Sequence, residues 1–551
     1  MSDGLIARLE AATEHATDIV LLDGPEPVRI PWARLHEEAC QIAAALQQRG
    51  VAPGDRVALL GATSRPFVAA LEGCWLAGAA VTVLPLRTRL EPEADFRGRT
   101  LARVAQCEPS LSICDPDQAD MATGASVPAP VTLPELVDAA SGLPESSYDR
   151  PADDPEATAI LQFTSGSTAD PKGVVIPQRC VMDNLDAILD RAPLDLSNDV
   201  IVSWLPLYHD MGLVYNLAMG LTTGAPLVLA PPTRFITSPS SWMEWMDAFG
   251  GTWTIGPNFS VALAARMLRR SATLDLSHCR RFASGAEPVD PHVMDAIAEA
   301  GAAHGLNPSA LHAGYGMAEA TVGVSFPLPG SGFVTDVIDS TRLEVDRVAA
   351  PVPPGDPRAR RLARCGPPIR GMETRIVDPD TGEVVEERMA GEIELRGPSV
   401  VPGYFRRPDA TAAAFREGGW LRTGDLGYFV EGDLVVCGRI KDLIIVGGRN
   451  VFPEELERAA QTVEGVRKGN VIAFGVGRGR KGDDLVVVAE IKSGDPPEVR
   501  DEIARVVGQT GGVRPADIVL LAPGALPKTS SGKLRRGECR ARYQADELER
   551  L

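Results

Sequence analysis

The chain has 551 residues, a formal net charge of −19, 44% hydrophobic residues and 23% charged residues. That length needs more than one core, on the order of three or four units at ~150 residues each, and the composition is that of an ordinary globular protein. The acidic balance argues against a broad nucleic-acid surface, because phosphate binding is driven by Lys and Arg.

Nine cysteines are scattered from Cys40 to Cys539 with no CxxC pair. This usage fits buried free thiols in a reducing compartment better than a disulfide framework or a zinc site. The start, Met1-Ser-Asp-Gly4, lacks the basic-then-apolar pattern of a signal peptide, and no apolar run is long enough for a membrane span. A cytoplasmic protein is expected.

Residues 56–60 form a short apolar run ahead of a helical stretch over 65–77, and similar runs follow at 79–84, 111–114 and 157–161. Short apolar runs separated by helices predict a buried, mostly parallel sheet. Residues 143–154, rich in Ser, Pro and Asp, read as a surface connection. The alternation resumes at 201–204 and 225–229, with helices over 241–249 and 259–270 on either side of a strand at 252–255. From about Gly330, Pro and Gly become frequent, and strands such as 373–377 and 391–395 alternate without long helices, which predicts a smaller β-rich unit. After the charged segment 438–442, strands at 471–476 and 485–491 alternate with helices at 453–463 and 497–508. The expected fold is α/β. Its N-terminal domain covers residues 1–438 and is built of parallel-sheet subdomains, with a β-rich subdomain over about 331–438. A small α+β domain covers 439–551.

The strongest chemical signal is Leu161-Gln-Phe-Thr-Ser-Gly-Ser-Thr-Ala-Asp-Pro-Lys-Gly-Val174. A strand runs into a loop of hydroxyl residues, glycines and one lysine. Glycines let backbone N–H groups curl towards an anion, and Ser and Thr add donors. The P-loop pattern G-x-x-x-x-G-K-[ST] is absent. A mobile Ser/Gly linker, the bland alternative, sits badly directly after a buried strand and before a Pro-Lys-Gly close.

Thr164-Ser-Gly-Ser-Thr168 with Pro171-Lys-Gly173 resembles the signature loop of the adenylate-forming superfamily, which includes acyl-CoA synthetases, luciferases and peptide-synthetase adenylation domains. Further motifs arrive in family order: Tyr315-Gly-Met-Ala-Glu-Ala-Thr321, Thr423-Gly-Asp425, Gly438-Arg-Ile-Lys-Asp442 and Pro527-Lys-Thr-Ser-Ser-Gly-Lys533. The resemblance implies ATP and Mg2+ as cofactors and a mobile C-terminal domain that turns about Lys441. It places phosphates on Thr164, Ser165, Gly166, Ser167 and Thr168, with Lys172 in the same loop. It places adenine beside Ser284, Gly285, Ala286 and Glu287 and against the Tyr315, Gly316 and Met317 motif.

Asp425 would accept from the ribose hydroxyls, and Arg439 would contact the ribose in one domain orientation. Glu319 would hold the magnesium ion. Lys533 would reach the substrate carboxylate and the α-phosphate. Taken singly, Asp425 reads equally as a turn residue, Glu319 as a solvated helix carboxylate and Lys533 as a surface lysine. Their joint order makes the case.

Trp204-Leu-Pro-Leu-Tyr-His-Asp-Met-Gly-Leu213, Gly256-Pro-Asn-Phe-Ser260, Ser284-Gly-Ala-Glu-Pro288, Arg364-Cys-Gly-Pro-Pro368 and Gly397-Pro-Ser-Val-Val-Pro-Gly-Tyr404 resemble the fatty acyl-AMP ligase branch. Members of that branch adenylate a fatty acid and pass it to an acyl carrier protein. They carry an insertion that hinders the coenzyme A reaction, for which residues 333–362 are the candidate; a variable Pro/Arg loop is the other reading. Against the branch, Gly448-Arg-Asn-Val-Phe-Pro-Glu-Glu-Leu-Glu457 leans towards coenzyme A ligases, so coenzyme A stands as the alternative acceptor.

His209, a third catalytic candidate beside Lys533 and Glu319, is expected with Trp204, Phe259 and Met317 along the acid's path. Core packing is the alternative for the aromatic residues, and a satisfied loop histidine for His209. Gly477-Arg-Gly-Arg-Lys-Gly482 matches G-x-G-x-x-G but leads into a strand, so it reads as a hairpin turn. Its basic residues, with Arg535, Arg536, Arg540 and Arg542, read as a solvated surface or as a docking patch for an acidic carrier protein.

Overall fold

The structure, a computed structural model, describes residues 4–87, 93–124, 129–163, 171–446, 449–477, 482–529 and 532–551. Two seven-stranded sheets dominate it. The first runs in the order Leu311–Ala313, Arg281–Gly285, Trp253–Pro257, Ile201–Ser203, Leu227–Leu229, Asp18–Leu21 and Val28–Pro31. Every neighbour pair is parallel except the last. The second runs Gly403–Tyr404, Gly173–Pro177, Thr158–Phe163, Ala80–Val83, Arg56–Leu60, Leu111–Cys114 and Val131–Thr132. Its Thr158–Phe163 strand is parallel to Ala80–Val83 and antiparallel to Gly173–Pro177. The apolar runs are therefore buried central strands, as runs without polar alternation require. Helices such as Trp32–Gln48 and Arg65–Leu76 cover them, and one continuous core links both sheets, with Trp75, Trp242 and Trp253 fully buried.

A five-stranded antiparallel sheet follows, built from Glu373–Val377, Gly391–Arg396, Trp420–Val430, Phe415–Arg416 and Asp433–Arg439. Its last hairpin places Asp425 opposite Arg439. Beyond it, Val466–Gly477, Asp483–Ile491 and Asp517–Leu521 form a three-stranded sheet. Helices Pro453–Ala460 and Pro496–Gly511 share with that sheet a core of their own, running from Ile444 to Leu520. The G-x-G-x-x-G match joins two antiparallel strands with Gly477 opposite Asp483, while residues 478–481 lie outside the described residues.

Residues 333–362 hold regular structure towards both ends, while the Pro-rich stretch 347–358 between them lies outside helices and strands. Thr335–Asp339 pairs antiparallel with Ala359–Ala363, and helix Ser340–Asp346 follows the first strand, capped by the Asp339 carboxylate. This hairpin and helix reach the C-terminal core. Glu344 pairs with Arg449, and Asn450 Nδ2 donates to the Glu344 carbonyl at 3.3 Å. Arg360 pairs with Glu455 at 2.8 Å and lies 4.3 Å over the Phe452 ring.

All nine cysteines are buried and free. Among the described residues no helix is long and apolar enough to cross a membrane.

Candidate active site

Three clusters of sequence-identified residues converge. In the first, Tyr315 Oη donates to Asp425 Oδ2 at 2.7 Å, and Arg439 Nε stands 3.0 Å from Asp425 Oδ1. The Thr423-Gly-Asp turn sets this geometry: Gly424 takes a left-handed φ of 70°, and the Asp425 N–H closes on Thr423 Oγ1 at 3.0 Å. Burial raises the Asp425 carboxyl, against the Arg439 charge and the Tyr315 hydroxyl. Burial and the Asp425 charge hold Tyr315 protonated. Gly316 is required by close packing, since a Cβ there would lie 1.8 Å from the Val322 carbonyl oxygen. Met317 packs partly buried beside this cluster, its Sδ 3.9 Å from the Tyr315 hydroxyl.

The second cluster surrounds Glu319. Tyr404 Oη donates to Glu319 Oε1 at 2.8 Å, and Lys172 Nζ lies 4.7 Å over the Tyr404 ring. The Val401 N–H donates to the Glu319 carbonyl, and Thr321 Oγ1 to the Ser399 carbonyl, which zips the Gly397–Tyr404 motif along the Glu319 turn. Burial raises the Glu319 carboxyl, partly offset by the Tyr404 hydroxyl. Among the described residues no three His, Cys, Asp or Glu side chains converge as a metal site. A lone carboxylate still fits magnesium, which takes one or two protein carboxylates and completes its shell with phosphate oxygens and water. The phosphate-loop candidates Thr164, Ser165, Gly166, Ser167 and Thr168 lie outside the described residues.

The third cluster holds Lys533. Its loop closes through Thr529 N–H to the Lys533 carbonyl at 2.8 Å and Lys533 N–H to Thr529 Oγ1 at 3.0 Å. Gly532, at φ 90°, sets its backbone against Phe259, where an added Cβ would lie 3.4 Å from the ring. The lysine Nζ reaches His209 Nε2 at 3.1 Å, and His209 Nδ1 lies 2.5 Å from Asp210 Oδ1. Burial lowers the Lys533 ammonium below its ordinary range, opposed by the Glu287 and Asp210 carboxylates. Burial alone would raise Asp210, but the imidazole and the Lys533 ammonium outweigh it and hold the carboxyl low.

Ser284 and Gly285 end the Arg281–Gly285 strand, and Ala286 takes a left-handed φ of 65°. That turn swings Glu287 towards the N-terminus of helix Asn258–Leu268, where Oε1 accepts from the Phe259 N–H at 2.7 Å. The carboxylate expected beside the adenine is thus committed to a helix N-terminus and faces Lys533, and burial raises it.

Trp204 is core rather than an open path. It stacks on Phe235 at 3.8 Å between ring centroids and meets Trp242 edge-on. Lys441 sits in the 3-10 turn Ile440–Asp442, its ammonium lowered by burial. The basic patch expected at 535–542 is largely committed to ion pairs. Arg536 pairs with Asp442 and Glu457, while Arg535 and Arg542 both meet Glu538. Two residues of this site went unassigned from sequence, Asp210 and Tyr404. Both stand inside quoted motifs, but only tertiary contact shows what their side chains hold.

The AMP-binding enzyme family matches residues 9–405. Long-chain-fatty-acid–AMP ligase FadD26 of Mycobacterium marinum is 33% identical over 95% of this chain and 92% of its own length. A Caulobacter vibrioides protein named as a candidate acyl-CoA synthetase is 35% identical over 97% and 94%. Among solved structures, a chain from a study of fatty acyl-adenylate ligases from E. coli and L. pneumophila superposes with a TM-score of 0.89 at 30% identity, covering 99% of this chain and 98% of that one. Motifs, fold and relatives agree, and the chain belongs to the family of AMP-binding enzymes, within the adenylate-forming superfamily.

Proposed function

We propose that this enzyme activates a fatty acid as its acyl-adenylate, consuming ATP and releasing pyrophosphate. The observation that carries the reading is the convergence of Lys533 with His209 and Glu287, across 324 residues of sequence for the lysine and histidine. A carboxylate oxygen attacks the α-phosphorus as the bond to pyrophosphate breaks. Lys533 offsets the charge that gathers there, a task for a preorganised cation in a water-poor site. Asp425 accepts from the ribose hydroxyls and Tyr315 lies against the base. Glu319 is the carboxylate that would hold Mg2+, and the ion would supply charge neutralisation at the phosphates. Lys172 and the Thr164–Thr168 residues take the phosphates. Residues 1–438 bind the nucleotide, and residues 439–551 turn about Lys441 to carry Lys533. The test is acid-dependent exchange of labelled pyrophosphate into ATP; no exchange with any medium- or long-chain acid sinks the reading.

The lysine gives the exchange an expected pH profile. Its charged form is the active one, so activity is full below its pKa and lost as pH rises through it. Because burial lowers that pKa, the alkaline limb should fall short of the ordinary lysine value of about 10.4. Lys533→Arg should move the limb out of range; an unchanged limb would assign it to another group.

The acyl group passes to an acyl carrier protein in this reading. The ties from Glu344 and Arg360 to Arg449, Glu455 and Phe452 support it, since they hold the C-terminal unit to segment 333–362 and oppose the rotation that a second half-reaction on coenzyme A requires. Coenzyme A remains the second reading, favoured by the Gly448–Glu457 run and by the Caulobacter relative's name. Labelled acid and ATP, offered to holo-carrier protein and coenzyme A in parallel, separate the two. Combining Glu344→Ala with Arg360→Ala should raise thioester formation on coenzyme A by several-fold. Rapid thioester formation by the unaltered enzyme on coenzyme A alone would reject the carrier assignment.

A further inference from the structure

Asp210 has no assigned part in the adenylation reading, yet it stands directly behind the lysine's partner. Its carboxylate is buried, with 8% of the residue exposed, and Oδ1 lies 2.5 Å from His209 Nδ1. Two negative or lone-pair atoms do not approach so closely without a proton between them, so Nδ1 carries the hydrogen and donates it. On the other side of the ring, Nε2 stands 3.1 Å from the Lys533 Nζ. An ammonium has three donors and no acceptor, so Nε2 must offer its lone pair. Both contacts select the same tautomer. The Met211 N–H donates to Asp210 Oδ1 at 2.8 Å and only leans towards His209 Nδ1, at 3.4 Å, so the short bond goes to the carboxylate and fixes Asp210 as the cap that precedes the helical turns over Met211–Ala218. The lysine is bracketed by the Glu287 carboxylate, itself immobilised on the Phe259 N–H.

We infer that Asp210 is a positioning residue: it holds His209 with the proton on Nδ1, so that the Nε2 lone pair keeps the Lys533 ammonium aimed into the active site. This inference rests on the adenylation reading for its kinetic consequence but not for its geometry. The chain Asp210–His209–Lys533 fixes the lysine's direction before substrate enters. The arriving carboxylate then takes the ammonium from an imidazole, a weaker acceptor than itself, so the hand-over is favourable. A second carboxylate in the histidine's place would bind the ammonium too well to release it, whereas an Nε2–H tautomer would turn a donor against a donor.

Asp210→Asn tests the carboxylate charge at one shared atom, because the Met211 N–H and the His209 ring both meet Oδ1. An amide oxygen there keeps the Met211 cap but lacks the charge that holds the proton on Nδ1, and an amide NH2 there turns the proton to Nε2. Acid-dependent pyrophosphate exchange should fall about 10- to 100-fold in kcat, with the KM for ATP within about twofold. In a His209→Gln background the same Asp210→Asn change should cost less than about twofold, because the ring it orients is gone. Equal losses in both backgrounds would overturn the inference and leave Asp210 as a helix cap. An independent arm needs no activity. In the unaltered full-length protein labelled with 15N-histidine, the His209 signal, assigned by its loss in His209→Gln, should show a protonated Nδ1 and a bare Nε2. A bare Nδ1 would overturn the inference even in an active enzyme. Absence of acid-dependent exchange in the unaltered protein would instead remove the adenylation reading, with the nitrogen shifts still deciding the role of Asp210.

Discussion

Lys533→Ala is expected to lower acid-dependent pyrophosphate exchange by about 10²- to 10³-fold, the usual cost of removing one preorganised group that meets developing charge. The lysine sits against His209, with Glu287 and Asp210 supplying the opposing charge. None of these contacts belongs to the Asp425 or Glu319 clusters, so the dissociation constant for ATP should change by no more than about threefold, under 1 kcal/mol. The two readouts together are diagnostic. Unchanged exchange would take the chemistry away from Lys533, and a large loss of ATP affinity would make it a nucleotide-binding residue. The lysine is buried at a cost that its neighbouring carboxylates offset only in part, which is the state expected of a cation held for a reaction rather than for folding.

Asp425→Ala should act on the opposite quantity. A carboxylate that accepts from two ribose hydroxyls contributes about 1.5–3 kcal/mol per charge-assisted bond, so the KM for ATP should rise by at least about 10- to 100-fold. The variant also strands the Tyr315 hydroxyl, which closes on Asp425 at 2.7 Å, while the half-exposed Arg439 guanidinium at 3.0 Å can turn to water. Leaving such a donor unpaired costs about 1–3 kcal/mol, so a lower Tm should accompany the kinetic change. Asp425→Asn keeps an acceptor for Tyr315 and should recover most of the stability and little of the ATP affinity. A variant with normal KM and only a lowered Tm would make Asp425 a structural residue of the hairpin.

Much of this was readable from residues in order. The runs at 56–60, 157–161 and 252–255 carry their burial in their composition, because a strand covered on both faces has no polar alternation. The order of motifs placed Asp425, Glu319 and Lys533 in one centre. What sequence could not show was partnership across long separations. Tyr404 is one aromatic among many until its hydroxyl is seen on Glu319, and Asp210 is a loop acid until Lys533 is seen on the histidine beside it. Glu287 had its motif but not its direction, since Ala286 at a left-handed φ turns the chain away from the course its neighbours suggest. The strands gave no sign that they belong to two sheets, with Asp18–Leu21 paired on one side to its successor Val28–Pro31 and on the other to the distant Leu227–Leu229.

That last pairing has a consequence for how the protein is made. Ile19 aligns with Leu227, so the first strand has no parallel neighbour until the ribosome has passed Leu229. At about 5–20 residues per second, this is a wait of roughly 10–40 s. During it the segment Ile19–Leu22, buried in the finished fold, stands without its parallel neighbour and with an open edge. The nascent chain depends on shielding in that interval, and a fragment released before Leu227 would keep the edge permanently and tend to aggregate.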